Sequence, residues 1–131
     1  MIKRILIDTN LIVRYLIKDN KEQFKIAEEF FELVRIGKVK AYLEQTVFTE
    51  TIFVLSNIYL IPRETIASTL FDLIMYKGIF NSEKDVLIES LNIFSDTKLH
   101  IVDCILVAKA KLEKIEIKTF DKELIKYSID N

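Results

Sequence analysis

The chain has 131 residues, with 19 Lys and Arg against 20 Asp and Glu, half of its residues hydrophobic, and only 2 Gly, 1 Pro, 1 Cys and 1 His. That length suits one domain spanning 1–131, able to bury roughly two thirds of its unfolded surface without a disulfide or a structural metal. A net charge of −1 excludes a globally basic nucleic-acid clamp, although a local patch can still hold a phosphodiester backbone.

Ile5-Leu6-Ile7 is a short apolar run suited to a buried strand, and a helical pattern follows at once through Leu11, Tyr15 and Leu16. Asn20 with Gln23 three residues on reads as an N-cap pair. It opens a helix with Phe24, Ala27, Phe31 and Val34 on one face and Gly37 as its stop. Val39 to Leu43 is a second strand, and Thr46 to Tyr59 a strongly apolar helix. The longest uncharged window, Thr51 to Pro62, falls well short of the ~20 residues that cross a bilayer, so no membrane span is expected. Pro62 suits the first turn of the next helix, whose stripe is Ile66, Leu70, Leu73 and Ile74 before Gly78. Ser82 with Asp85 predicts a cap for a helix carrying Leu87, Leu91 and Phe94. Ile101 to Leu112 is apolar almost all round and is expected to be buried. Ile115 to Phe120 alternates as a strand, and Asp121 to Tyr127 closes with a short helix. Strands separated by helices, usually in pairs, imply an α/β fold with a mainly parallel central sheet and helices on both faces.

The placement of acids carries the functional signal. Asp8 is the only charged residue between Arg4 and Arg14, Glu50 between Glu44 and Arg63, and Asp103 between Lys98 and Lys109. Burying an isolated carboxylate costs several kcal/mol unless a cation or hydrogen bonds compensate it. Asp8 ends the first strand and Asp121 the last, and in open parallel sheets ligands sit beyond the carboxyl ends of the strands. Glu50 and Asp103 fall in the first turns of two apolar helices, so all four acids can face one end of the sheet. Four carboxylates without histidine form a hard-oxygen set suited to Mg²⁺ or Mn²⁺ and poor for Zn²⁺. Each acid also has a structural reading: Asp8 and Asp121 as N-caps, Asp103 as a partner of its helix dipole, Glu50 on a solvated face.

In this order and spacing, Ile5-Leu6-Ile7-Asp8-Thr9-Asn10, Thr49-Glu50, Asp103-Cys104-Ile105-Leu106-Val107-Ala108 and Thr119-Phe120-Asp121-Lys122 resemble the PIN domain ribonucleases over nearly the whole chain. The size is similar to the VapC toxins, the nuclease halves of type II toxin-antitoxin pairs. The resemblance implies a Mg²⁺- or Mn²⁺-dependent endoribonuclease acting on RNA, silenced by a small antitoxin that inserts into its groove. It places Asp8, Glu50, Asp103 and Asp121 in the family's acidic quartet, with Asn10 and Thr119 as supporting polar residues. Many members carry a further acid three residues before the third carboxylate, where this chain has His100.

Metal-assisted in-line attack by water would leave a 5′-phosphate and need no 2′-hydroxyl. Arg4, Arg14, Lys118 and Lys122 are the cations nearest the motifs and could hold flanking phosphates. Apolar pairs such as Phe30 with Phe31 and Tyr59 with Leu60 point to a homodimer. The lone Cys104 cannot form an internal disulfide, and Met1-Ile2-Lys3-Arg4 lacks a signal peptide's apolar core. A reduced, cytoplasmic setting is therefore expected.

Three other readings use the same residues. An aspartyl phosphotransferase would take Asp8 as nucleophile, but such enzymes carry a second Asp two positions on, where Asn10 stands here. A thiol enzyme would pair His100 with Cys104 four residues away, inside an apolar helix that favours an inert thiol. A catalytically inactive interaction module would keep the fold and break the acidic quartet, and the quartet is intact in the sequence.

Overall fold

The computed structural model describes residues 2–129. In chain order these form β1 (Lys3–Leu6), α1 (Thr9–Ile17), α2 (Lys21–Arg35), β2 (Val39–Tyr42), α3 (Gln45–Asn57), α4 (Arg63–Ile74), β3 (Ile79–Phe80), α5 (Lys84–Asp96), α6 (Ile101–Glu113) and α7 (Lys122–Ile129). The sheet is parallel throughout, ordered β1-β2-β3, with Ile5 beside Ala41 and Ala41 beside Ile79. Each crossover is a helix pair, as parallel neighbours require.

Helix stripes explain the core. On α2, Ala27, Phe31 and Val34 are spaced to share one face, and all three are fully buried; burying a side chain the size of Phe31 contributes ~1.5–3 kcal/mol. Ile66, Leu70, Leu73 and Ile74 of α4 and Leu87, Leu91 and Phe94 of α5 enter the same core. Asn20 caps α2 as its sequence implies, its side chain accepting from the Gln23 amide at 3.0 Å.

The sheet supplies only one row of this core. Ala41 and Ile79 are buried and Ile5 half-buried, whereas the alternate row carries exposed Arg4, Leu6, Lys40 and Phe80 with half-buried Tyr42. Leu6 keeps 72% of its surface, so β1 is not the buried strand its apolar run implies; among the described residues it is an edge strand paired with β2 alone.

Other local expectations are corrected. Residues 115–120 form no strand. The alternation leaves Ile117 and Thr119 half-buried and their neighbours exposed, which reports the side facing the protein and not a ladder. Ser82 does not cap α5; Glu83 holds that position without a side-chain bond, while the Asn81 side-chain Oδ1 accepts from the Glu83 amide at 2.7 Å. The apolar α6 is buried along one side only, for Val102 is 56% and Leu106 41% exposed one turn apart. The sequence pattern also missed β3, whose two residues are too few to show a period.

Two glycines separate backbone from side-chain constraints. At Gly37 the φ is +85°, and a Cβ would meet only the flexible Lys77 side chain. At Gly78 a Cβ would lie 2.1 Å from the Val39 carbonyl oxygen and 2.7 Å from that of Val34. The Gly78 amide also donates to Val34 at 2.8 Å and its carbonyl accepts from Ala41 at 2.8 Å, so α2, β2 and β3 meet at this atom. Gly78→Ala is therefore expected to cost ~3 kcal/mol or more, and Gly37→Ala ~1 kcal/mol from backbone strain. Urea denaturation of both variants checks the order; equal losses would contradict the close approach.

Candidate active site

Asp8 stands just beyond β1, in extended conformation (φ −106°, ψ 172°), as the N-cap of α1. Its Oδ1 accepts from the Leu11 amide at 2.9 Å, while Oδ2 has no partner. The next residue, Thr9, is buried and points its hydroxyl at α3, where it donates a short hydrogen bond to Glu50 Oε1. Packing of α1 on α3 brings these groups together. Asp8, Thr9, Asn10 and Glu50 thus line one depression of about 310 Å³, walled by Val13, Arg14 and Val54.

The acids are less buried than their apolar neighbours suggest. Asp8, Glu50 and Asp121 are exposed, and Asp103 is half-buried. Glu50 also lies in the second turn of α3 rather than the first. Phe48, Ile52 and Leu55 point into the core and leave Glu50 on the outer side of α3, where Phe53 is also exposed.

Asp121 precedes α7 and caps it: Oδ1 accepts from the Glu123 amide at 2.9 Å and the Leu124 amide at 3.3 Å. Thr119 accepts from the Asp121 amide at 3.0 Å through its hydroxyl, bending the chain into that cap. Asp103 sits in the first turn of α6, where the helix dipole favours its charge. Asp103, Thr119 and Asp121 do not line the Asp8–Glu50 depression. Among the described residues no group of three His, Cys, Asp or Glu is arranged to hold one metal ion. The structure thus joins Asp8, Asn10 and Glu50 and leaves the other three at their own helix starts.

Arg14 is the cation in the lining of the Asp8–Glu50 depression. Its guanidinium donates to Asp19 at 2.5 Å and to the Tyr59 hydroxyl at 3.0 Å, leaving Nε buried without a partner. The Tyr59 hydrogen bond and the Asp19 carboxylate raise its pKa further, so it stays charged.

Two participants were not assigned from sequence. Thr9 was legible only as part of a motif; a hydroxyl directly after a strand-ending acid, at the first position of an apolar helix, was the available signal. A second depression of about 440 Å³ on the other side of Glu50, between α3 and the junction of α5 with α6, left no sequence signature. Its wall is held by Arg63, which donates to the Phe94 carbonyl at 2.9 Å and the Leu99 carbonyl at 2.5 Å. The same guanidinium lies 3.7 Å from the Phe94 ring centroid.

Comparison with known families gives one match: the PIN domain model aligns with residues 5–129. No curated protein and no solved structure matches the chain. Among the described residues no helix is long and apolar enough to cross a membrane.

Cys104 is separate from this chemistry. It is fully buried behind Asp103 on α6, its Sγ 3.7 Å from the Leu99 carbonyl oxygen, and burial pushes the thiol up to about 11. His100 is exposed at the start of the same helix, its side chain without a hydrogen bond. A thiol nucleophile needs a lowered pKa and access; this one has neither. Folded protein at pH 8 should release no thionitrobenzoate from Ellman's reagent, with one thiol per chain reacting in guanidinium. Rapid reaction of the native chain would restore the thiol-enzyme reading.

Proposed function

Because the chain belongs to the PIN domain family, whose members are typically nucleases of nucleic acids, we propose that it is a Mg²⁺- or Mn²⁺-dependent endoribonuclease with its centre at Asp8 and Glu50. The observation that carries this reading is how the acids are held. Asp8 is oriented through one oxygen by the α1 cap, Glu50 through one oxygen by Thr9, and each keeps its second oxygen free. Ligating carboxylates are held in this way by outer partners. Mg²⁺ asks for only one or two protein carboxylates beside its waters, and the donor set is all oxygen, so the pair fits such an ion.

A divalent cation held there supplies neutralising charge at a phosphate and a more acidic water. The remaining work falls to the chain. Asp8 and Glu50 set the position of that charge at the sheet's carboxyl edge. Asn10, exposed beside Asp8, can orient a water or a phosphoryl oxygen. Asp121 is anchored through one oxygen in the same fashion as Asp8, and Asp103 has both oxygens free of hydrogen bonds; we assign both to the same acidic set, with Thr119 supporting Asp121. Water attacking in line leaves a 5′-phosphate.

We extend the reading to a toxin of a type II toxin-antitoxin pair. A small antitoxin would place a basic side chain against Asp8 and Glu50, and the chain would pair with a second copy. Exposed apolar side chains, among them Leu60, Leu106 and Phe120, support a surface that proteins cover.

The test separates charge from folding. Asn caps helices as well as Asp does, so Asp8→Asn should keep wild-type stability while Mg²⁺-dependent cleavage of a mixed RNA substrate falls at least ~100-fold. Asp8→Ala should lose cleavage and also ~1 kcal/mol of stability. A folded Asp8→Asn variant with wild-type cleavage would overturn the assignment.

A further inference from the structure

Glu50 is a ridge between two unlike depressions. The smaller is the acidic one it shares with Asp8; the larger, of about 440 Å³, has no other acid in its lining and two basic side chains, Lys98 and His100, with no ion pair or hydrogen bond. The larger one is built rather than incidental. Arg63, its third basic side chain, is fully engaged with two carbonyls and the Phe94 ring, fixing the wall between α4 and the α5–α6 junction.

The groups that line it are unused by the fold. Phe53, one turn beyond Glu50 on α3, keeps 60% of its surface and touches no other aromatic ring, and Val102 faces the same space with 56% exposed. The Ser56 hydroxyl and the Asn57 amide make no hydrogen bond. An exposed aromatic ring, apolar contact, amide and hydroxyl groups for an edge, and basic side chains nearby are what a nucleotide requires. The volume lies in the range of small-ligand pockets and is large enough for one nucleotide.

We propose that this cavity receives one unpaired nucleotide of the substrate strand, its base against Phe53 and Val102 and its phosphate at Lys98 and His100, next to the bond cut beside Glu50. The inference rests on the nuclease reading and adds to it a subsite on this chain, which takes its base unpaired because a base inside a duplex cannot enter the cavity. It also gives a role to His100, whose ring N–H can donate a hydrogen bond to that phosphate. The occupant follows from Lys98, which has no ion pair and faces a polyanion, and from continuity with the acidic depression through Glu50.

The experiment is fluorescence anisotropy of a labelled single-stranded RNA oligonucleotide and of its duplex, in metal-free buffer so that nothing is cut. It uses the full chain and the variants Phe53→Ala and Lys98→Ala, both at exposed positions where folding is retained. Single strand should bind more tightly than duplex. Phe53→Ala should weaken single-strand binding about tenfold, and Lys98→Ala should weaken it while lowering the salt slope by about 1. Titration of the wild type with adenosine 5′-monophosphate should shift amide resonances of residues 53–57 and 98–102. Unchanged affinity in both variants overturns the proposal, as does equal binding of duplex. So does a Phe53→Ala variant that alters only the sedimentation of the chain, which would make the cavity a contact between copies. Failure of the nuclease reading is distinct: there the wild type would not cut with Mg²⁺, or Asp8→Asn would cut as well as it does, whatever the anisotropy shows.

Discussion

The Thr9 hydroxyl joins the first residue of α1 to the second turn of α3, and the candidate site depends on that contact and on the α1–α3 packing beneath it. Without it Asp8 and Glu50 would belong to separate elements, one capping a helix and one on an outer helical face. With it, two carboxylates that repel one another are held at one depression. Thr9 is buried although its partner is exposed, so the donor is fixed by packing and sets the direction of Glu50. Asp8 is fixed independently, by the start of α1. A hydrogen-bond donor and a helix cap, each worth about 1 kcal/mol on its own, thereby orient groups whose charge has a larger consequence.

Packing beneath the site makes this possible. The register that sets Ile5 against Ala41 and Ala41 against Ile79 aligns the carboxyl ends of the three strands. The Leu43 carbonyl accepts from the Asn81 side-chain Nδ2 at 2.7 Å and the Leu43 backbone amide donates to the Phe80 carbonyl at 3.1 Å, carrying the sheet's alignment past its last residues. α1 and α3 both start from that edge, so their first turns are neighbours, and Glu50 projects beside the residues after β1. On the far side of α3, Arg63 holds the α5–α6 junction through backbone carbonyls, which fixes the start of the helix that bears Asp103.

Much of this was legible in the sequence. The stripes of α2, α4 and α5 follow from a 3.6-residue period, and the residues they nominate are buried with the exception of half-buried Phe24. Parallel strands linked by helix pairs followed from the alternation of elements. Asp8 and Glu50 stood out because each is the one charge in a long apolar stretch, and they do share a depression. Their exposure was not legible, since an apolar neighbourhood in sequence becomes one side of a helix in space. The segment 115–120 shows the same limit for strands: Ile117 and Thr119 alternate as a strand would, but alternation cannot name a ladder partner, and the turn at Thr119 takes the chain into α7 instead. Contacts between distant elements, such as Thr9 with Glu50 or Arg63 with Phe94, have no local pattern at all.

The central claim is that Asp8 and Glu50 together hold a divalent cation at the carboxyl edge of the sheet. The most direct measurement is titration of the isotopically labelled chain with Mn²⁺, whose unpaired electrons broaden the resonances of nearby nuclei. The account predicts that the amide signals of residues 8–11 and 49–51 broaden first and together, and that Asp8→Asn removes the effect at both segments. Broadening that begins elsewhere, or that survives Asp8→Asn unchanged, would contradict it.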